Sequence, residues 1–271
     1  MKVLKFGGTS VGSAERMKKL VEIIQLGEQK LVVLSAMSGT TDRLVEINEA
    51  AKNGKTEEAR KLISQLEERH LQTVNELYED KYTITLAKHF ISEIIELLQS
   101  EISSYKPSVS EKIILAQGEI LSTTLFQFLL EERKINSCLL SALDFMKIDN
   151  NAEPENDFIR KNLTELLEKK KGFQIYITQG FICTNDKNEI DNLGRGGSDY
   201  TASLIGGALV SEEIQIWTDI DGMHNNDPRI IENTQPIRYL SYDEAAELAY
   251  FGAKILHPST VRPAKLAKVP V

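Results

Sequence analysis

Cysteine is scarce in this chain of 271 residues: only Cys138 and Cys183 occur, far apart and with no CxxC partner. That arithmetic excludes a disulfide framework and a cysteine-based zinc site. Histidine is almost as rare. His70, His89, His224 and His257 never stand at HxxxH spacing, which excludes a zincin helix. No apolar run approaches the roughly 18 residues of a membrane span, and the opening MKVLKFGG has no leader-like hydrophobic centre. The expectation is a reduced, cytoplasmic protein with no membrane partner. Basic excess is missing too: 32 Lys and Arg against 40 Asp and Glu give a net charge of −8. A bulk basic face for nucleic acid is therefore not expected. An anionic ligand must be met locally, by a few placed Lys and Arg.

What is present is ordinary globular material, 41% hydrophobic and 27% charged. The length fits one large domain or two small ones, with a core that needs no covalent staples. Short β-rich apolar runs lie at 3–6, 31–35, 135–140, 173–178 and 214–218. Their unbroken apolar character predicts strands buried on both faces, and helical patterns lie between most of them. That order predicts an α/β fold with a mainly parallel sheet covered on both sides. Residues 56–104 break the alternation as a helical excursion. Ile63, Leu66, Val74 and Leu77 form one stripe, and Ala87, Phe90, Ile91, Ile94, Ile95 and Leu98 a second, with charges on the solvated faces. Pro107 separates this from a helix at about 109–132, residues 150–157 read as a loop, and Ser241–Glu244 is a capping box that starts a further helix.

Five segments carry chemistry. KFGGTSVGS (5–13) joins a strand to a helix, so its glycines let backbone N–H groups approach an anion, with Thr9 and Ser10 as hydroxyl donors and Lys5 at the strand end. It is not a Walker A loop, because Ser13 stands where Lys is required. The plain alternative is a tight turn with a solvated lysine. NLGRGGSDYTAS (192–203) imitates a dinucleotide fingerprint, with Asp219 placed as a ribose acid, but Asp199 occupies the third glycine position and would repel a pyrophosphate. Arg195, Ser198 and Asp199 at this helix start suit a zwitterion; helix capping is the alternative for Ser198 and Asp199. WTDIDGMHNNDPR (217–229) follows a buried strand and offers Thr218, Asp219 and Arg229 to a ligand crevice, or else satisfies its own backbone. In AYFGAKILHPST (249–260), Gly252 reads as a helix C-terminus, Lys254 in apolar surroundings asks for an anion, and His257 reads as a packing residue. In AQGEILSTT (116–124), Glu119 lies among the apolar stripe of Leu121, Leu125 and Phe128, and needs a cationic partner from the protein or from a ligand.

VLKFGGTSV, VVLSAMSGTT, AQGEILS, LGRGGSDYTA, WTDIDGMHNNDPR and AYFGAKILHP, in this order and spacing, resemble the catalytic domain of aspartate kinases, within the amino-acid kinase family. The start resembles in particular the kinase part of bifunctional aspartokinase–homoserine dehydrogenases. The resemblance covers essentially the whole chain. It implies a three-layer α/β/α sandwich around a mostly parallel sheet of about eight strands. Residues 1–271 would be one catalytic domain, with roughly 1–195 as the aspartate half and roughly 196–271 as the ATP half. It implies ATP-dependent phosphorylation of L-aspartate, with ATP and Mg²⁺, and a homodimer among the expected assemblies. Lys5, Asp199 and Lys254 would be catalytic; Thr41, Glu119, Arg195 and Ser198 would hold aspartate. Gly7, Gly8, Thr9, Ser10, Thr218, Asp219, His224, Asp227, Arg229 and Lys254 would serve the nucleotide. His224 is a departure, since many relatives carry Tyr there. Aspartate kinases continue into regulatory ACT domains, so the resemblance implies a fragment without allosteric inhibition. Other readings stay open: a glutamate, N-acetylglutamate or UMP kinase, a nicotinamide dehydrogenase, or a non-catalytic nucleotide-binding module.

Overall fold

The computed structural model describes all residues except 26, 195, 227–229, 232 and 252–257; the side chains of 249–251, 258 and 259 also lie outside the description. The expected apolar runs become β1 (Lys2–Phe6), β2 (Lys30–Leu34), β3 (Ser137–Leu140), β4 (Ile175–Gln179) and β7 (Ile214–Trp217). They pair in the order β3-β4-β2-β1-β7, every neighbour parallel. All five strands therefore end at one edge, where ligands of open α/β sheets bind. A short antiparallel pair, β5 (Ile182–Thr184) and β6 (Ile190–Asn192), stands apart from this sheet.

The helices among the described residues are α1 (Ala14–Gln25), α2 (Thr40–Lys52), α3 (Thr56–Leu77), α4 (Lys81–Ser103), α5 (Val109–Glu132), α6 (Asn156–Lys169), α7 (Gly197–Leu209), α8 (Tyr242–Phe251) and α9 (Pro258–Ala267). Leu4, Phe6, Val32 and Leu34 face one hydrophobic core with α1 to α5. Val3, Leu31 and Val33 face a second core with residues of α6, α7 and α9. Alternate residues of the same strands thus bury both faces, and the result is three layers.

The helical excursion is α3 and α4, and both expected stripes are its inner faces: Ile63, Leu66, Val74 and Leu77 are buried, as are Ala87, Ile91, Ile94, Ile95 and Leu98. α5 is long and apolar enough to cross a membrane by length and composition, but most of it is buried inside the protein, as a central helix of the fold. The capping box forms as read: Ser241 N–H donates to Glu244 Oε2 at 2.7 Å and Glu244 N–H to Ser241 Oγ at 3.2 Å. The loop read over 150–157 ends earlier, because α6 starts at Asn156. Gly252 and His257 lie outside the described residues.

The sheet count differs from the expected eight or so. Among the described residues it has five strands. Between β7 and α8 the described residues include a bridge from His224 to Pro236, and near the end of the sequence Pro270 O accepts the Ile214 N–H of β7 at 2.8 Å.

Candidate active site

A cleft of about 480 Å³ opens at the strand ends of β1 and β2 and at the start of α7. Lys5, Gly8, Thr9, Ser35–Gly39, Thr41, Glu119, Ser198 and Asp199 line it. Lys5 sits in a central strand, in register with Val33 and Ile216, so its backbone is fixed on both sides. Its Nζ lies 2.6 Å from Asp199 Oδ1, both side chains mostly buried. Asp199 stands in the first turn of α7, where the helix dipole favours a carboxylate. The pair therefore holds one ammonium in a defined place at the strand edge.

The turn after β1 is closed by Ser10 N–H to Gly7 O at 2.9 Å and braced by Arg16 Nη1 to Thr9 O at 2.6 Å. Ser13, the residue that fails the Walker A test, caps α1 by accepting from Arg16 N–H at 3.3 Å. Gly8 must be glycine, since a Cβ would lie 2.8 Å from Ala36 O. That close approach lets Ser38 N–H donate to Gly8 O at 3.1 Å, joining the two loops that wall the cleft. Gly8 and Thr9 line the cleft; Gly7 and Ser10 belong to the same turn but do not line it.

Glu119 projects from α5 and is buried. Its Oε1 accepts the Ala36 N–H at 3.2 Å, while Oε2 is buried with no partner among the described residues. Burial pushes its carboxyl up to about 7. A buried carboxylate oxygen with no donor, at the wall of a cleft, is a waiting site for a ligand cation. Thr41 lies in the first turn of α2, exposed at the rim. Ser198 packs so tightly on Gly180 that a Cβ at Gly180 would lie 2.5 Å from its Cβ and Oγ.

The region after β7 is organised differently. Thr218 and Asp219 are exposed and bond each other, Oγ1 to Oδ1 at 3.0 Å, and do not line the cleft. His224 is buried, with Nδ1 2.8 Å from Thr234 Oγ1 and Nε2 2.6 Å from Asp221 Oδ1. Both ring nitrogens are engaged within its own loop. Arg195, Asp227, Arg229 and Lys254 lie outside the described residues.

Sequence reasoning named Thr41 but not Ser35–Gly39, although a strand end, small residues and a glycine before a helix mark such a loop. It also missed Gly180 and Phe181, which follow β4 at the same sheet edge. Phe181 lines the cleft and holds a positive φ of 68°. Its N–H donates to Thr201 Oγ1 at 3.0 Å, tying the strand end to α7.

Residues 1–271 match the family described as the amino acid kinase family. The chain is 35% identical to aspartokinase 1, chloroplastic, of Arabidopsis thaliana over 99% of its own length and 49% of that protein's. It is 33% identical to lysine-sensitive aspartokinase 3 of Escherichia coli strain K12, covering 99% of this chain and 60% of that one. The crystal structure of E. coli aspartokinase III in complex with aspartate and ADP (R-state) superposes with a TM-score of 0.83 at 31% identity, over 99% of this chain and 60% of that chain. The chain thus spans about half to three-fifths of these relatives.

Proposed function

The chain belongs to the amino acid kinase family, and on that premise we propose that it transfers the γ-phosphoryl group of ATP to the side-chain carboxylate of L-aspartate. The products are 4-phospho-L-aspartate and ADP, in the first step of the biosynthesis of lysine, threonine and methionine from aspartate. The observation that carries this reading is one cleft lined by both a held ammonium, Lys5, and a buried carboxylate, Glu119, one of whose oxygens has no partner among the described residues. An amino-acid substrate offers the complementary pair, an ammonium for Glu119 and a carboxylate for the cationic side. The relative crystallised with aspartate and ADP supports the choice of substrates.

The acceptor carboxylate has a solution pKa of about 3.9 and is ionised at pH 7, so no general base is needed. One of its oxygens bonds to the γ-phosphorus as the bond from that phosphorus to the β-phosphate oxygen breaks, and ADP leaves. The obstacle is electrostatic, an anion approaching a polyanion. In this reading Lys5, oriented by Asp199, sits on the transferring group, and the 7–10 turn cradles phosphates with its N–H and hydroxyl groups. Thr41, Glu119, Ser198 and Arg195 hold aspartate. Thr218, Asp219, Asp227, Arg229 and Lys254 serve the nucleotide, and His224 holds the loop beside them. No group of three His, Cys, Asp or Glu gathers among the described residues. In this reading Mg²⁺ would be carried on nucleotide phosphates and water, and would supply neutralisation of phosphate charge. We place the activity in the cytoplasm, on small molecules alone.

The test is aspartate-dependent ADP release, with trapping of the acyl phosphate by hydroxylamine. L-Glutamate, N-acetylglutamate and UMP serve as competing acceptors. Turnover with aspartate alone supports the reading. ATP binding without aspartate-dependent ADP release overturns it in favour of a nucleotide-binding module, and preference for another acceptor overturns the substrate.

A further inference from the structure

The helical excursion reaches the cleft at one point. Arg69, half-buried on α3, donates from Nη2 to the carbonyl oxygen of Ser38. The same guanidinium covers Gly39: a Cβ there would lie 3.2 Å from Arg69 Nη1. Gly39 has a φ of 76° and precedes α2 with no side-chain cap. Both features call for glycine, one for the backbone and one to leave room for the arginine.

Ser38 is thereby held on both sides. Ser38 N–H donates forward to Gly8 O at 3.1 Å, and Ser38 C=O is held from behind by Arg69. In a trans peptide the next N–H points opposite to the carbonyl, so a carbonyl turned toward α3 turns the Gly39 N–H away from it. Gly39, Thr41 and Asp42 line the cleft, together with the unpartnered Oε2 of Glu119. Arg69 stands on a helix whose inner face, Ile63, Leu66, His70 and Val74, is buried, which anchors its base. α3 is also tied to α2 by Arg43 Nη1 to Gln65 Oε1 at 2.9 Å.

We propose that Arg69 is a positioning residue for the amino-acid substrate: by holding the Ser38 carbonyl it presents the Gly39 N–H and the start of α2 to an anionic oxygen of that substrate. The inference rests on the aspartate reading above. It also gives the helical excursion a part in the site, beyond burying its own stripes.

The test compares Arg69→Gln, Arg69→Ala and Arg69→Lys with the unaltered chain. Steady-state kinetics are read for aspartate and for ATP, and amide hydrogen exchange is followed in the unliganded protein. Arg69→Gln and Arg69→Ala are expected to raise KM for aspartate about tenfold, the scale of a lost charged hydrogen bond. KM for ATP should stay within twofold, and Arg69→Lys should recover most of the loss. Exchange over residues 35–42 should speed up while the rest of the chain is unchanged. An aspartate KM within twofold in both truncations overturns the proposal. So does a parallel rise in both KM values with faster exchange throughout, which marks a strut of the fold alone. If the unaltered chain does not turn over aspartate, the functional reading fails by itself. The exchange comparison then still decides, because unchanged protection at 35–42 in Arg69→Gln overturns the hold on Gly39.

Discussion

Two buried side chains invite comparison, Glu119 beside the cleft at 4% exposure and His70 in the helical excursion at 1%. Each has one satisfied atom: Glu119 Oε1 accepts the Ala36 N–H, and His70 Nδ1 donates to Leu66 O at 2.8 Å. Each also has one buried atom with no hydrogen-bond partner among the described residues, Glu119 Oε2 and His70 Nε2. Burial drives both toward the neutral form, Glu119 up to about 7 and His70 down to about 4. Their surroundings separate them. Glu119 borders a cleft with Lys5 and Asp199, whereas His70 stands in the packed stripe of α3 between Leu66 and Val74. Perturbation by burial is thus shared by a ligand-ready group and a packing group, and only the open space at the strand ends tells them apart.

The comparison breaks most sharply at Lys5. If the cleft edge is the reacting place, Lys5→Ala should lower kcat by on the order of 10²–10³, as loss of a placed transition-state donor does. A matching loss from a change at His70 would erase the distinction. Glu119→Gln comes next. It should raise KM for aspartate about tenfold or more, since a charged hydrogen bond to the substrate ammonium is lost. Its pH profile is more telling. Below about 7 the Glu119 carboxyl of the free protein is protonated and cannot pair with an ammonium. KM for aspartate should therefore fall as pH rises from 6 to 8, and Glu119→Gln should flatten that dependence. A dependence that survives the substitution would assign the titration to another group.

Much of this was readable in the amino-acid order. All five strands of the main sheet, the two stripes of the excursion and the placing of Glu119 among the apolar residues of α5 follow from period and apolar run length. What was not readable depends on long-range contact. Arg69 looks like any charge on an outer helix face until Ser38, 31 residues earlier, is seen against it. The pair β5 and β6 has three residues per strand, too few for a period to show. Thr218 and Asp219 sit at a strand end as expected, yet their hydroxyl and carboxylate satisfy each other in solvent. Residue type and position named them as candidates; where the side chains turn was decided by neighbours the local pattern does not contain.

Gly180 probes the cleft's framework rather than its charges. A Cβ there would meet Ser198 Cα at 2.8 Å as well as its Cβ and Oγ at 2.5 Å, and the Cα cannot rotate aside. Gly180→Ala should push the first turn of α7 outward and cost about 1–3 kcal/mol. Thermal unfolding reads the cost, and kcat should fall with it, because Asp199 rides on the displaced turn. By contrast Gly54→Ala, where a Cβ meets nothing within 4 Å, carries only the penalty of its φ of 71° and should leave kcat unchanged. Equal losses of activity in the two variants would show that the glycine contact at Ser198 has no bearing on the site.

The smallest effect is a pair of opposed slopes in stability. Glu119 in the folded chain holds its proton up to about 7, against an ordinary value of 4.5. Between those values the folded state binds the extra proton, so this group makes stability fall as pH rises, by about 1.4 kcal/mol per unit at most. His70 stays neutral when folded down to about 4, against an ordinary value of 6.5. Between those values the unfolded state binds the extra proton, so His70 makes stability fall as pH drops, with the same limiting slope. The two contributions oppose each other over their shared range of roughly pH 4.5 to 6.5. Relative to the unaltered chain, His70→Gln should remove the acid-side loss, and Glu119→Gln should expose it, as measured by urea unfolding across that range. Only Glu119→Gln should also change aspartate binding. If His70→Gln left the pH slope untouched while altering KM for aspartate, His70 would belong to the cleft after all, and the contrast between the two regions would fail.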